Sequence, residues 1–318
     1  MATKSNKKPA KNASSPNTNA IGRVRKINRK NKKKIIKQSG KLPNSFVLLA
    51  HAMLHLWRYK KLFGGIFVLY VLLYVVLVKG LATNFQVEST RELIEEALGE
   101  KLQGAMAATA LFGALIGTAG ATASEAGSVY QLVLFIVFSL AIIWALRASY
   151  GGRSIIKVRE SFYSGMYPLV PYLLVVMVVF VQLLPALLGL TIYNIVAANA
   201  IAVNIFQQVL MILFLVMSLF LSVYLISSSI FASYIVTLDK MTPLKALRSS
   251  KKLVKYRRWT LLRKILFLPV VIALFFGMVF LPLVLILPLV AEVLFLLCSL
   301  ALIFVVHAYL YELYRELL

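Results

Sequence analysis

Runs of about 20 residues with no charged side chain recur along this chain, and they constrain its fold more than any other feature. A helix rises about 1.5 Å per residue, so such a run matches the roughly 30 Å hydrocarbon core of a bilayer. A soluble domain needs charge interleaved along every exposed helix face. Here charged residues are only 14% of the chain while hydrophobic ones reach 60%, and the charges are clustered between the runs. The expected fold is all-α, a polytopic membrane helix bundle. Six spans are predicted, at approximately 62–81, 129–146, 167–190, 208–238, 265–287 and 289–313. They form three hairpins.

Residues 1–45 contain 14 Lys or Arg and no acid. Such a segment buries too little apolar surface to order itself, so it reads as a disordered basic tail ahead of an integral membrane domain at 46–318. No secretory cleavage pattern follows it, and the first run reads as a retained anchor. Residues 46–61 are too short to span. They read as an interfacial helix with Trp57 and Tyr59 at headgroup depth.

Two segments after the first span are ambiguous. Glu88, Glu92, Glu95, Glu96 and Glu100 dominate an amphipathic stretch at 84–104. Residues 105–123 are rich in Ala and Gly, with Ala105, Thr109, Gly113, Gly117 and Ala121 four apart, a small-residue stripe suited to close helix approach. Charge decides whether this stripe crosses. If it does not, one side of the membrane carries +28 and the other −4; if it does, the sides carry +15 and +9. The rule that basic loops stay cytoplasmic favours the first arrangement, with six spans and both termini cytoplasmic. The Ala/Gly segment is then a re-entrant or protein-buried helix on the outer side.

Thr242 to Trp259, TPLKALRSSKKLVKYRRW, carries seven basic residues and no acid between two apolar runs. Pro243 suits a first helical position, and Leu244, Leu247 and Val254 give it an apolar face, so it reads as a surface-lying cytoplasmic helix. Lys245, Arg248, Lys251, Lys252, Lys255, Arg257, Arg258 and Trp259 are the candidate contacts to anionic lipid headgroups. Similar sequence precedes the other hairpins. Leu56 to Lys61 aligns with Leu253 to Arg258, and Ile156 to Ser161 more weakly with Leu244 to Ser249. That pattern fits a threefold internal repeat. It also fits the general tendency of cytoplasmic span entries to be basic and aromatic.

Thr242, Pro243, Ala246, Leu247, Ser250, Leu253, Val254 and Trp259, placed between two spans, resemble the pattern in the membrane domain of bacterial glycerophosphoryl diester phosphodiesterases and their stand-alone relatives. The resemblance covers roughly residues 130–318. It implies a six-helix membrane domain in a bacterial cytoplasmic membrane. It carries no hydrolytic activity over, because in fused members that chemistry belongs to a separate soluble barrel for which this chain has no room.

No catalytic constellation is legible, and no cofactor is expected. His51 and His55 have the i, i+4 spacing of paired zinc ligands, but Ala52 stands where a metalloprotease helix has Glu and no third ligand is near. His307 and Ser227 to Ser229 read as helix-packing groups. Glu292 reads as solvated in a short outer turn. Gln182, Asn194, Asn199, Asn204, Gln207 and Gln208 read as ordinary polarity near the outer end of the central hairpin. Cys298, the only cysteine, reads as a small buried hydrophobe. The expected role is a non-enzymatic membrane module engaging anionic lipid or a protein partner, with homo-oligomerisation open. The alternatives are a permease for an apolar or lipid-like substrate, and a membrane factor whose tail binds RNA or ribosomes, for which no nucleic-acid motif is present.

Overall fold

A computed structural model describes residues 42–79, 125–153, 156–198 and 204–318. The tail (1–41), the acidic stretch at 84–104 and the Ala/Gly stripe at 105–123 lie outside the described residues. Among the described residues the fold is helical, with no strand. Six helices among the described residues are long and apolar enough to cross a membrane, at 60–78, 127–150, 169–196, 205–235, 258–283 and 290–315. The chain is a membrane protein.

In chain order the helices are α1 (Ser45–Arg58), α2 (Lys60–Tyr74, continued by a π-helical turn, Val75–Lys79), α3 (Glu125–Tyr150), α4 (Val158–Gly165), α5 (Leu169–Ala198), α6 (Ile205–Ser229), α7 (Ala232–Ile235), α8 (Pro243–Val254), α9 (Arg258–Ile286) and α10 (Pro288–Arg315). The helices α2/α3, α5/α6 and α9/α10 pair as antiparallel hairpins. In the first, the Tyr59 hydroxyl donates to the Ser149 carbonyl at 3.3 Å and the Tyr70 and Phe138 rings meet at 4.6 Å. In the third, Tyr309 donates to the Lys264 carbonyl at 2.8 Å and Phe276 packs edge-on against Phe295 at 5.2 Å.

The short helices α1, α4 and α8 all lie at the end where Arg147, Lys264 and Arg315 sit, which we call the basic end. Because α2 and α3 are antiparallel, the chain leaves the first hairpin and re-enters it at the opposite end.

Each short helix has the same packing scheme. Its fourth and eighth residues are buried: Leu48 and Ala52 in α1, Ser161 and Gly165 in α4, Ala246 and Ser250 in α8. Four residues is just over one turn, so each pair forms one stripe. The stripe of α4 seats on α3, where a Cβ at Gly165 would come within 3.1 Å of the Leu140 carbonyl. That of α8 seats on α6, with the Ser250 hydroxyl donating to the Ser228 carbonyl at 2.7 Å. The helix α1 seats on α10, the last span. Lys264 further ties α9 to the start of α1 through the Pro43 carbonyl. Each interfacial helix therefore packs on the second span of another hairpin, and the α1–α10 contact closes the ring.

The first spans of the hairpins repeat as well. They begin at Lys60, Leu169 and Arg258; their fourth residues (Phe63, Tyr172, Leu261) and seventh residues (Ile66, Val175, Lys264) are buried. The bends entering α2 and α9 match too, with Tyr59 at φ −103°, ψ 32° and Arg257 at φ −125°, ψ 20°. The three units thus share one packing scheme, the pattern expected of a threefold internal repeat. Its register differs from the sequence alignments above. By position from the helix start Lys60 corresponds to Arg258, one residue from the aligned pairing, and Ser161 to Ala246, not Ser249.

Candidate membrane-interface site

The helix α8 begins after Thr242, whose extended backbone (φ −91°, ψ 153°) precedes Pro243 at the first helical position. There the missing proline N–H costs nothing. With Ala246, Ser250 and Val254 turned inward, the opposite face presents Lys245, Arg248, Lys251 and Lys252, and Lys255 follows in the bend. All five are exposed, and none forms an ion pair among the described residues. Lys251 and Lys252 occupy the last turn, where cations complement the helix dipole. Leu244 and Tyr256, both exposed, lie among them. A row of lysines beside apolar side chains is the composition of a helix resting at a headgroup boundary.

Three expectations need correction. The surface helix does not run to Trp259. It stops at Val254, and after a bend at residues 255–257 Arg258 and Trp259 open α9. The fifth span therefore starts seven residues before the predicted 265, carrying Arg258, Arg263 and Lys264 into its first turns. Long basic side chains can lie along apolar surface with their heads at the interface, so charge alone set the predicted boundary too late. Arg257 and Arg258 are half-buried, unlike the five exposed basic residues. The Arg258 guanidinium sits 4.2 Å above the Tyr224 ring of α6, and its Nε is buried without a hydrogen-bond partner among the described residues. Trp259 is 73% exposed beside Phe220, ring centroids 6.2 Å apart. Gln182, grouped above with outer-end polarity, instead faces α6 across the hairpin and donates to Ser229 at 2.8 Å.

The basic end also holds a cluster assembled from distant segments. His55 of α1 stacks on Tyr150 of α3, centroids 3.6 Å apart and planes 5° apart, while Arg315 of α10 lies 4.1 Å from the same ring centroid. Two groups this close cannot share one face, so Tyr150 is sandwiched between them. Arg315 also pairs with buried Glu312 at 3.2 Å. The Ser149 hydroxyl donates its one proton to the Leu146 carbonyl at 2.9 Å, so His55 Nε2, 2.8 Å from that hydroxyl oxygen, must be the donor between them. Burial pushes the His55 imidazole down to about 4; Glu312 partly opposes this, and Arg315 and Arg58 add to it. His51, Leu54, His55, Arg58, Tyr150 and Glu312 line an open depression of about 210 Å³. Among the described residues no group of three or more His, Cys, Asp or Glu is placed to hold a metal.

Arg147 completes the end of the bundle. It donates to the Thr237 carbonyl at 2.6 Å and the Tyr234 carbonyl at 3.0 Å, capping the chain after α7. Tyr234 in turn meets His307 of α10 at 3.0 Å. The second spans of all three hairpins are thus joined here. None of Tyr150, Arg147, Glu312 or Arg315 was singled out from the sequence, because apart from the local Glu312–Arg315 pair the contacts that join them span tens to hundreds of residues. At the opposite end Glu292 is exposed. Cys298 is half-buried against the Phe276–Phe280–Phe295 cluster.

Comparison with family models, curated proteins and solved structures yields no match.

Proposed function

We propose that this chain is a non-catalytic module of a bacterial cytoplasmic membrane, with the basic end cytoplasmic, and that it engages the anionic leaflet through its interfacial helices. The observation that carries this reading is α8 with the bend that follows it: a helix seated by three buried residues that, with Lys255 in the bend, presents five exposed cations, none ion-paired among the described residues, beside exposed Leu244, Tyr256 and Trp259. Each Lys or Arg held near an anionic surface contributes about 1 kcal/mol at physiological salt. The resemblance to phosphodiesterase membrane domains supports the same assignment, since in that family the membrane domain stands apart from the hydrolytic barrel. The concentration of described basic residues at one end supports the orientation through the positive-inside rule.

The test is lipid selectivity in reconstituted membranes. Spin-labelled phosphatidylglycerol should be enriched at the protein over spin-labelled phosphatidylcholine, and the preference should weaken as salt rises. Replacing Lys245, Arg248, Lys251, Lys252 and Lys255 together with Gln should remove most of it. An unchanged preference in that variant would refute the assignment.

A further inference from the structure

The exposed row on α8 attracts a leaflet without selecting any one lipid. The bend between α8 and α9 is built differently. We propose that Arg258, Tyr224, Phe220 and Trp259 form a discrete binding site for one anionic phospholipid, with Arg258 on the phosphate and the aromatic side chains against the acyl chains. The proposal rests on the leaflet-engaging reading above and narrows it to one site.

Arg258 supplies the recognition. Its guanidinium lies 4.2 Å from the Tyr224 ring centroid; the residue is half-buried, with its Nε buried and without an acceptor among the described residues. A partly desolvated guanidinium without a hydrogen-bond acceptor is costly, and a phosphodiester, which accepts N–H bonds from the terminal guanidinium nitrogens that stay accessible, is the acceptor a bilayer provides at this depth. Free phosphate would leave the neighbouring surface uncovered. Phe220 is 49% exposed and Trp259 73%, and Leu266 and Val270 continue the exposed apolar strip along α9. That strip runs from the cation into the span, as a lipid does.

The internal repeat supplies a built-in comparison. Lys60 opens α2 as Arg258 opens α9, and its ammonium stands 5.4 Å from the Trp57 ring, with Trp57 also exposed. This corresponding junction also carries a cation beside an exposed aromatic ring, drawn from α1 and not from a neighbouring span, and makes a second, weaker site. The third junction opens α5 with Leu169 and carries no cation there. It makes none.

Native mass spectrometry of the full chain, released from membranes of equal phosphatidylglycerol and phosphatidylcholine, reads the number of retained lipids. Two phosphatidylglycerols are expected on the wild type, one lost at low activation and one at higher. Arg258→Gln should remove the tightly held lipid and Lys60→Gln the weaker one. Tyr224→Leu should lower retention without changing the charge, which separates the site from general attraction. Unfolding temperatures within a few degrees of wild type identify variants that fold. Unchanged retention in folded Arg258→Gln overturns the proposal, as does equal retention of the two lipids. Displacement by millimolar glycerol phosphate would show a site for the headgroup alone and would overturn the lipid assignment. If retention is unchanged in these variants while the five-Gln α8 variant loses its spin-label preference, the discrete site fails and the broader reading stands. If the five-Gln variant keeps its preference, the broader reading is the one that fails.

Discussion

The α5–α6 contact allows the packing to be tested with its sign fixed in advance. A Cβ added at Gly189 would lie 1.9 Å from the Ser218 Oγ and 2.8 Å from the Ser218 Cβ. The hydroxyl can rotate away, giving up its 2.8 Å bond to the Leu215 carbonyl, but the Cβ moves only with the backbone of α6. Overpacking of this kind costs about 1–3 kcal/mol. Against it stands the gain of about 1 kcal/mol for replacing a helix-interior glycine with alanine. Gly189→Ala should therefore be destabilising by up to about 2 kcal/mol by that balance. Gly277 in α9 has nothing within 4 Å of its added Cβ, so Gly277→Ala should keep the whole gain of about 1 kcal/mol. The two substitutions are chemically identical and should move stability in opposite directions. Ser218→Gly, introduced with Gly189→Ala, removes the offending Cβ and should recover most of the packing loss. The assay is thermal unfolding in lipid discs, followed by reaction of a maleimide dye with Cys298, the chain's only cysteine and half-buried in the folded state. A stable Gly189→Ala, or a double variant no better than Gly189→Ala alone, would refute the hairpin register.

Three further outcomes follow from the basic end. In a Cys298→Ala background, Arg153→Cys should react with an impermeant thiol reagent only from the cytoplasmic side and Glu292→Cys only from outside; labelling of both from one side would contradict the antiparallel hairpins, and inverted labelling the proposed orientation. Arg147→Gln removes two bonds from a charged donor to the Tyr234 and Thr237 carbonyls, each worth roughly 1.5–3 kcal/mol, and should lower the unfolding temperature clearly more than Arg153→Gln, whose ion pair with Glu160 is exposed. His55 titrates near 4 when folded and near 6.5 when unfolded, facing Glu312, Arg315 and Arg58. The unfolded chain thus binds the extra proton, so stability should be full above about pH 6.5 and fall as pH drops towards 4. His55→Phe should flatten that fall in a melting series from pH 7 to 4; an equally steep wild type and variant would remove His55 from the account.

Much of the fold was legible because one force dominated it. Hydrocarbon excludes charge, so uncharged runs marked all six spans within a few residues at most ends. The largest error falls where charges lie inside a helix, and the next, the third span's end at 196 and not 190, where polar but uncharged residues continue one. Arg258, Arg263 and Lys264 led the reading to start the fifth span late, because a basic residue near an interface keeps its head in water while its stem joins the span. The His55–Tyr150–Arg315 stack was not legible. Its members are separated by 95 and 165 positions, and each has an ordinary neighbourhood in sequence.

The repeat shows why likeness of letters misplaced the register. The alignment of residues 56–61 with 253–258 rested on two identities, Leu and Tyr, and three basic matches, and basic and aromatic residues at an interface tolerate a shift along the helix. What the fold holds constant is the seat: one stripe of two residues, four apart, pressed against a neighbouring span. That seat accepts Leu48 with Ala52, Ser161 with Gly165, or Ala246 with Ser250, pairs that share no identity. Close approach at a seat depends on the size of the opposing surface, not on one side-chain chemistry. Glycine at 165 admits the α3 backbone, whereas serine at 250 uses its hydroxyl on the Ser228 carbonyl of α6. Exposed positions were then free to diverge in charge. The junctions opening with Lys60 and Arg258 kept a cation on an aromatic ring and the one opening with Leu169 has none, so a symmetric scaffold presents an asymmetric face to the bilayer. Gly165→Leu tests the logic directly: its side chain meets the Leu140 carbonyl and the Ala141 backbone and should lift α4 from α3, whereas Ala246→Gly in the equivalent stripe should leave α8 seated. Loss of protease protection around residues 158–165 in the first variant alone is the expected result. Equal protection in both would mean that the stripe does not hold the helix.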